Sequence, residues 1–332
     1  MIFLKVLITG GAGFIGYHLT KLLVSSDYQI VIVDNFSRGI YDEFFQDLIK
    51  NKNVEFHRIN LLNPTEINQL DKDFDYIYHL AAIIGVKNVL KNPYLVLRNN
   101  VEILFNMVDF VKKQQALKRF IFASTSEVYA GTLEKYGMDI PTPETTPLAL
   151  TSLENPRTSY MFSKLYGEGI LQQSGIPFTI VRPHNFYGPR MGMAHVIPEL
   201  LKKAYFAQSG DTLEVFSVEH SRTFCYISDA VQMLKLLAEN INTENQTYNV
   251  GNETPEITIK NLAEKILEIT GRKMEILPQP ATLGSPVRRC PSMKKAQEII
   301  NYQSKISLLE GIQKTFDWYR DNIFNKNGRC SV

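Results

Sequence analysis

The sequence predicts an α/β protein: a doubly wound parallel sheet with a smaller, irregular C-terminal domain set over its edge. Three observations predict it. Apolar, partly β-branched runs alternate with helix-spaced segments through the first half of the chain. A glycine cluster, Gly10-Gly11-Ala12-Gly13-Phe14-Ile15-Gly16, stands between the first such run and the first helical segment. Beyond about residue 183 the alternation fails, and Pro183, Gly188, Pro189, Gly192 and Pro198 crowd together.

Residues 3–9 form the first expected strand, apolar enough to be buried on both faces. Residues 15–25 have helical spacing, and residues 29–33 form a second strand that ends at Asp34. Residues 54–60, 76–81, 119–124 and 178–182 continue the sheet. Helices are expected over 64–70, 93–114 and 158–174 between them. In the second half, a helix over 259–270 precedes a proline-rich stretch, 277–291. Two segments, 222–227 and 247–250, are expected to return to the sheet. The cofactor domain is therefore placed at 1–182 plus about 222–250, and the substrate domain at 183–221 and 251–325. The tail from Asn325 is expected to fray.

A glycine cluster at a strand-to-helix turn lets the backbone approach a pyrophosphate and aims a helix N-terminus at its charge. With Asp34 at the tip of the second strand, the pattern meets the structural context of a dinucleotide site. A carboxylate there accepts from a ribose 2′-hydroxyl and repels a 2′-phosphate, which favours NAD over NADP. Arg38, in the loop Asn35-Phe36-Ser37-Arg38-Gly39, reads as a surface cation.

Bulk properties narrow the class. The chain has 332 residues, 44% hydrophobic, enough for one large domain or two modest ones. A formal net charge of +2 gives no reason to expect nucleic acid or a membrane surface as partner. Apolar runs are strand-length, so no membrane span is expected, and a strand so close to the N-terminus leaves no room for a signal peptide. Cys225, Cys290 and Cys330 are odd in number and widely spaced, which points to a reducing, cytoplasmic compartment. None of the six histidines, His184, His195 and His220 included, has metal-ligand spacing, so no metal is assigned.

Tyr160 and Lys164, spaced i, i+4, share one face of the 158–174 helix. An ammonium near a phenol favours the phenolate and lowers its pKa towards working pH. Thr125 ends the 119–124 strand, where ligands of an open α/β sheet gather, so the three side chains converge.

Here the chain resembles the extended short-chain dehydrogenase/reductases that modify nucleotide sugars. The resemblance rests on the glycine cluster, Asp34, His79-Leu80-Ala81-Ala82, Asn99, Ser124-Thr125-Ser126-Glu127-Val128-Tyr129, and Tyr160 with Lys164. It extends through Arg182-Pro183-His184-Asn185-Phe186-Tyr187-Gly188-Pro189-Arg190, Arg222-Thr223-Phe224, Ser228-Asp229, Asn249-Val250-Gly251-Asn252 and Arg289-Cys290-Pro291-Ser292. It implies a Rossmann-type sheet and the catalytic trio Thr125, Tyr160 and Lys164, with Ser126 beside them. It implies an NAD site lined by Gly10, Gly13, Phe14, Ile15, Gly16, Asp34, Asn35, Leu80, Ala81, Ala82, Asn99, Ser124, Pro183 and His184. Asn60 and Leu61 would lie near the adenine, although many relatives carry aspartate where Asn60 stands. Asn185 and Arg222 would hold the substrate diphosphate. A homodimer joined through the helices 93–114 and 158–174 is also implied.

Enzymes of this group oxidise the sugar at C4 and then diverge into epimerases, 4,6-dehydratases and decarboxylases. Glu127 bears on the choice, because simple 4-epimerases usually carry a small or hydroxyl residue there. The run around it resembles UDP-glucuronate decarboxylases and in part GDP-mannose dehydratases; the alternative is a loop carboxylate held in a salt bridge. Pro156-Arg157, Gly188-Pro189-Arg190-Met191 and the Arg289-x-Pro element lean towards the decarboxylases. Arg289 would then face the substrate and bind a uronate carboxylate or a diphosphate. Ala130, in place of glycine, and Met161-Phe162-Ser163, in place of Asp-Glu-Gly, depart from that pattern. Arg182 stays open between substrate and structural roles. The expectation is an NAD-dependent nucleotide-sugar enzyme, a UDP-glucuronate decarboxylase first, a 4-epimerase second, then a dehydratase or reductase. A catalytically silent NAD-binding regulator is the alternative of another class.

Overall fold

A computed structural model describes residues 4–26, 28–281 and 285–327. The chain begins with β1 (Lys5–Thr9), α1 (Phe14–Val24), β2 (Gln29–Val33), α2 (Glu43–Leu48), β3 (Val54–His57), α3 (Pro64–Ile67) and β4 (Tyr76–His79). Then come α4 (Val86–Lys91), α5 (Pro93–Val111), β5 (Arg119–Ala123), a 3₁₀ turn (Ser126–Tyr129), α6 (Ala130–Tyr136), α7 (Thr158–Ser174) and β6 (Phe178–Pro183). The second half contains β7 (Phe186–Tyr187), α8 (Val196–Phe206), β8 (Thr212–Phe216), β9 (Ser221–Arg222), β10 (Cys225–Tyr226), α9 (Ile227–Glu239) and β11 (Gln246–Val250). It closes with β12 (Ile257–Thr258), α10 (Ile259–Thr270), β13 (Glu275–Gln279), β14 (Arg288–Arg289), α11 (Lys294–Ile300) and α12 (Leu308–Tyr319).

Seven parallel strands form the central sheet in the order β11-β6-β5-β4-β1-β2-β3. Alternation along each strand serves two cores. Val6, Ile8, Ile30 and Ile32 face one side with Leu19 and Leu23 of α1 and Leu234 of α9. Leu7, Val31, Ile77 and Phe120 face the other with Met107 of α5 and Leu171 of α7. Each such side chain, fully buried, contributes roughly 1.5–3 kcal/mol. Gly167 lets α7 approach the sheet, because a Cβ there would stand 2.7 Å from Phe122 Cζ.

The strand order reverses direction between β1 and β4, and that reversal opens a crevice at their carboxyl ends. Thr9 and His79 tie its two walls together, with Thr9 Oγ1 and His79 Nδ1 2.9 Å apart.

The helices over 158–174 and 259–270 have the expected bounds, each ended by a left-handed glycine, Gly175 and Gly271. The segment 247–250 joins the sheet edge as part of β11, as expected. The segment 222–227 does not return to it. Ser221–Arg222 pairs with β12 and β14, and Cys225–Tyr226 pairs with β7, in two small sheets outside the main one. Residues 325–327 are helical rather than frayed, and the remainder of that tail, with Cys330, lies outside the described residues. No described helix is long and apolar enough to cross a membrane.

Candidate active site

The glycine turn sits at the mouth of the crevice. Gly10 has φ +73°, and a Cβ there would stand 2.9 Å from the amide nitrogen of Ala81 on the opposite wall. A Cβ on Gly16 would stand 2.5 Å from the carbonyl oxygen of Gly10, so the turn and α1 close together only with glycine at both positions. Gly13 is the N-cap of α1 and offers no side-chain hydrogen bond. The leading amides of α1, at Phe14 and Ile15, therefore point outwards as an anion cradle. Asp34 is buried at the tip of β2, where Oδ2 accepts from the Ala12 amide at 3.1 Å and Oδ1 from the Phe36 amide at 2.8 Å. Burial raises its pKa against those hydrogen bonds. An uncapped helix start, a glycine cradle and an acceptor carboxylate fit a dinucleotide.

The remaining cofactor candidates lie on the segments that follow β2, β3 and β4, or on α5. Leu80, Ala81 and Ala82 follow β4, half-buried, and the Ala81 amide donates to Thr9 Oγ1 at 3.3 Å. Asn99 is half-buried on α5. Leu61 is buried, its carbonyl accepting from Asn106 Nδ2 at 2.9 Å. Asn60 turns its Oδ1 to the Leu62 amide at 3.2 Å, and Asn35 turns its own to the Ser37 amide at 2.9 Å. Arg38 is exposed, in keeping with its reading as a surface cation. Its Nη2 lies against Gly85, 3.9 Å from where a Cβ would stand, and its charge acts on Tyr160.

Thr125, Tyr160 and Lys164 do converge. Thr125 caps the 3₁₀ turn after β5, accepting from the Glu127 amide at 3.2 Å, and it is hydrogen-bonded to the Tyr160 phenol. Tyr160 and Lys164 lie one turn apart on the buried face of α7. Asn100, which the sequence reading passed over beside Asn99, steadies that helix. Its amide bridges the Ile83 amide at 2.7 Å, the Ile83 carbonyl at 3.0 Å and Ser163 Oγ at 3.2 Å.

The electrostatics of the pair differ from the expectation of a lowered phenol pKa. Burial pushes Tyr160 well above its ordinary value and the Glu127 carboxylate adds to that, while Thr125 and Arg38 pull it back. Burial also lowers Lys164 to about 7, with Glu168 opposing. Lys164 Nζ donates to the Ala123 carbonyl at 2.7 Å and lies 4.7 Å from the Phe122 ring centroid. Helical spacing brings the two groups together, but it does not convey the desolvation that each undergoes.

Glu127 is one-quarter exposed and flanked by two cations. Arg157 Nη2 lies 3.3 Å from Glu127 Oε1 and Arg289 Nη2 lies 3.9 Å from it. Arg157 precedes α7, its amide held by Asn155 Oδ1 at 3.0 Å, and so stands one turn ahead of Tyr160. The Pro156-Arg157 dipeptide was a signal in the sequence, but no role followed from it. Arg289 arrives on β14, placed beside Arg222 by the parallel pairing of β14 with β9. Ser126, next to Glu127, is buried.

Arg222 faces inward rather than presenting a free guanidinium. It donates to the carbonyls of Ser221 at 2.7 Å, Val287 at 3.1 Å and Pro286 at 2.5 Å, and to Ser285 Oγ at 2.9 Å. Burial and the neighbouring Arg289 lower its pKa to about 9. Asn185, left-handed at φ 44°, donates Nδ2 to the Thr223 carbonyl at 2.8 Å. Arg182 resolves as structural. It forms a buried pair with Glu168, Nε to Oε1 at 3.0 Å and Nη2 to Oε2 at 2.6 Å, and donates to the Tyr129 hydroxyl at 2.7 Å. Ser124 also donates to Glu168, at 2.5 Å. Tyr129 donates on to Asn249, whose Oδ1 also meets His184 Nε2 at 3.1 Å. His184 follows Pro183 at the end of β6, and burial lowers its pKa to about 3, leaving a neutral ring. Its Nδ1 and the Thr223 hydroxyl are buried without a protein partner. Among the described residues, no group of three His, Cys, Asp or Glu is placed to hold a metal ion.

The chain is similar to known proteins over most of its length. The family model described as the NAD dependent epimerase/dehydratase family matches residues 6–251. A UDP-glucuronic acid decarboxylase 1 of Arabidopsis thaliana is 30% identical over 332 residues, covering 98% of this chain and 72% of the relative. A UDP-N-acetyl-alpha-D-glucosaminuronate decarboxylase of Bacillus cytotoxicus is 32% identical over 330 residues, covering 96% of this chain and 98% of the relative. Among solved structures, the UDP-glucose 4-epimerase of Thermotoga maritima with UDP-glucose superposes with a TM-score of 0.83 at 27% identity, covering 96% of this chain and 100% of that one. The UDP-glucuronic acid 4-epimerase of Bacillus cereus, in complex with UDP-glucuronic acid and NAD, does so with 0.80 at 27% identity, covering 96% and 99%.

Proposed function

The chain belongs to the NAD dependent epimerase/dehydratase family, and from that premise we propose that it decarboxylates a UDP-uronate, UDP-glucuronate first, through a 4-keto sugar. The observation that carries this reading is Glu127, placed beside Tyr160 between Arg157 and Arg289. Two cations and one carboxylate leave a surplus positive charge where the C6 edge of the sugar would lie. A uronate carboxylate matches that charge and a neutral hydroxymethyl does not.

NAD, held by the glycine turn and Asp34, would supply the hydride acceptor and donor for C4 and a positive charge that favours the Tyr160 phenolate. The protein's own part is acid–base work and positioning. Tyr160 takes the proton of the C4 hydroxyl, with Thr125 hydrogen-bonded to the same oxygen and Lys164 holding the strand end. Once C4 is a ketone, the C6 carboxylate is β to it and leaves as CO2, its electrons passing into the C4–C5 enolate. A solvent proton reaches C5 of the enolate by way of the one-quarter-exposed Glu127, and Arg289 orients the departing group. Asn185 serves the diphosphate side of the sugar nucleotide, and Arg222 braces residues 285–287 beside it.

A 4-epimerase acting on a uronate is the second reading. The Bacillus cereus neighbour acts on a uronate without losing it, and its fold superposes over most of this chain. Mass spectrometry of products from UDP-glucuronate, UDP-N-acetylglucosaminuronate and neutral UDP-, GDP- and dTDP-sugars separates these outcomes. Loss of CO2 establishes the decarboxylase. Unchanged mass with altered retention establishes the epimerase, and loss of water a dehydratase.

We also assign a homodimer joined through α5 and α7. Phe105 and Tyr166 lie exposed there with ring centroids 6.4 Å apart. Sedimentation of Tyr166→Glu tests it, with a shift to monomer expected. Cys225 and Cys290 are buried free thiols, which supports a cytoplasmic setting. The cofactor unit is best drawn as 1–182 with β11 and α9, leaving β9 and β10 to the substrate side.

A further inference from the structure

We propose that Arg190 is a latch that retains the dinucleotide through turnover, by pinning residues 35–42 across the glycine turn. It is a positioning residue, and the proposal rests on the NAD-recycling reading above. Residues 35–42 leave β2 beyond Asp34 and cross the crevice mouth. At Gly39 the crossing is so close that a Cβ would stand 2.8 Å from Asp34 Oδ1 and 2.7 Å from Ala12 Cβ. The Ile40 amide donates to the Ala12 carbonyl at 3.3 Å. Arg38 reaches from the same segment to Gly85 on the β4 side. The segment thus straps one wall of the crevice to the other.

Its far end is held from the substrate side of the molecule. Arg190 lies between β7 and α8 in a left-handed conformation, φ 63°, and its side chain is 3% exposed. Nε donates to Asp42 Oδ2 at 2.8 Å and Nη2 to Asp42 Oδ1 at 2.9 Å, a bidentate pair. Nη2 also donates to the Ile40 carbonyl at 3.3 Å. The guanidinium carbon lies 4.1 Å from the centroid of the Tyr17 ring on α1. Asp42 in turn caps α2, accepting from the Phe45 amide at 2.8 Å. The arginine's own backbone is fixed, since His18 Nε2 is 2.9 Å from the Pro189 carbonyl and Tyr319 donates its hydroxyl to the Met191 carbonyl.

One ion pair therefore joins the strap over the cofactor to the segment that carries Asn185 and His184. A redox-neutral reaction returns the hydride to the sugar that gave it up, so the reduced dinucleotide has to stay between the two half-reactions. Opening the strap is the exit route, and Arg190–Asp42 is the contact that opening must break.

Exchange of bound NAD for isotopically labelled NAD, measured on the full chain without any sugar, tests this. Arg190→Gln and Asp42→Asn are each expected to speed exchange at least about tenfold, the scale of one lost charge-assisted contact. The double variant is expected to match the singles, because the latch can be lost only once. During turnover with UDP-glucuronate both single variants should release reduced nicotinamide, seen by its absorbance, while Arg190→Lys recovers part of the retention. Lys314→Gln, which breaks an exposed pair with Glu310 on α12, should exchange as the parent does. Parent-like exchange in Asp42→Asn or in a folded Arg190→Gln overturns the latch, as does additivity in the double variant. A parent protein that carries no NAD when purified and binds none when it is added overturns the cofactor reading, and the latch with it.

Discussion

Lys164 donates its Nζ to the carbonyl of Ala123 at 2.7 Å, two residues before Thr125, so the helix that carries Tyr160 grips the strand end that carries its hydrogen-bond partner. Burial lowers this lysine to about 7 from an ordinary value near 10.5. In the unfolded chain it stays protonated up to that higher value. Between the two, the unfolded state binds more protons, so stability rises with pH. Urea unfolding should show the parent gaining stability between pH 7 and pH 10 relative to Lys164→Met. A parallel dependence for the two proteins would mean that the lysine is not desolvated as described.

Glu127→Gln keeps the shape beside Tyr160 and removes the charge. Loss of a positioned acid–base group should lower CO2 release by about 10²–10⁴-fold. Reduction of bound cofactor by UDP-glucuronate should persist, because Thr125, Tyr160 and Lys164 are untouched. Rapid-mixing absorbance against CO2 release checks both. Equal loss of the two signals would make Glu127 a structural residue.

Arg222 and Arg289 are neighbours in register but differ in what they hold. Arg222 satisfies the carbonyls of Ser221, Pro286 and Val287 and the Ser285 hydroxyl, so Arg222→Ala should destabilise the fold by about 2–3 kcal/mol as well as weaken substrate binding. Arg289→Ala should leave the melting temperature within a few degrees and lower kcat/KM for uronates more than affinity for UDP. Calorimetry and steady-state kinetics on the two variants test the contrast.

Glu168 and Arg182 are both nearly buried and bidentately paired. Removing one partner leaves an uncompensated charge, so Glu168→Leu should cost about 3–5 kcal/mol, whereas Glu168→Leu with Arg182→Met should recover most of it. Thermal unfolding of the single and double variants measures this. Full retention of stability in Glu168→Leu would sink the account.

The sheet was legible because periodicity and glycine punctuation are local signals. Gly175 and Gly271 mark where α7 and α10 stop, and the glycine turn declares β1, α1 and the crevice. Short elements were not legible. Alpha4 and α6 are only a turn or two long and have no side-chain cap, and the two-residue strands β9 and β10 look the same in sequence whichever sheet they join. Among the site residues, Glu127 could be read by its position after Thr125. Its partner Arg157 lies thirty residues further on, and only the docking of α7 on β5 brings them together. The raised pKa of Tyr160 was missed for a related reason: spacing reports proximity, and burial is a property of the assembled fold.

β11 sets a limit on how this protein can be divided. The seventh strand of the sheet comes from residues 246–250, yet its partner β6 ends at Pro183. A truncation at the apparent boundary would strip β6 of its neighbour and expose the backbone donors and acceptors of Phe178–Pro183 as a bare, apolar edge. Such a fragment would self-associate rather than yield a working half-enzyme. Grafting a new specificity onto this scaffold therefore means exchanging loops inside an intact chain, not joining one protein's first half to another's second.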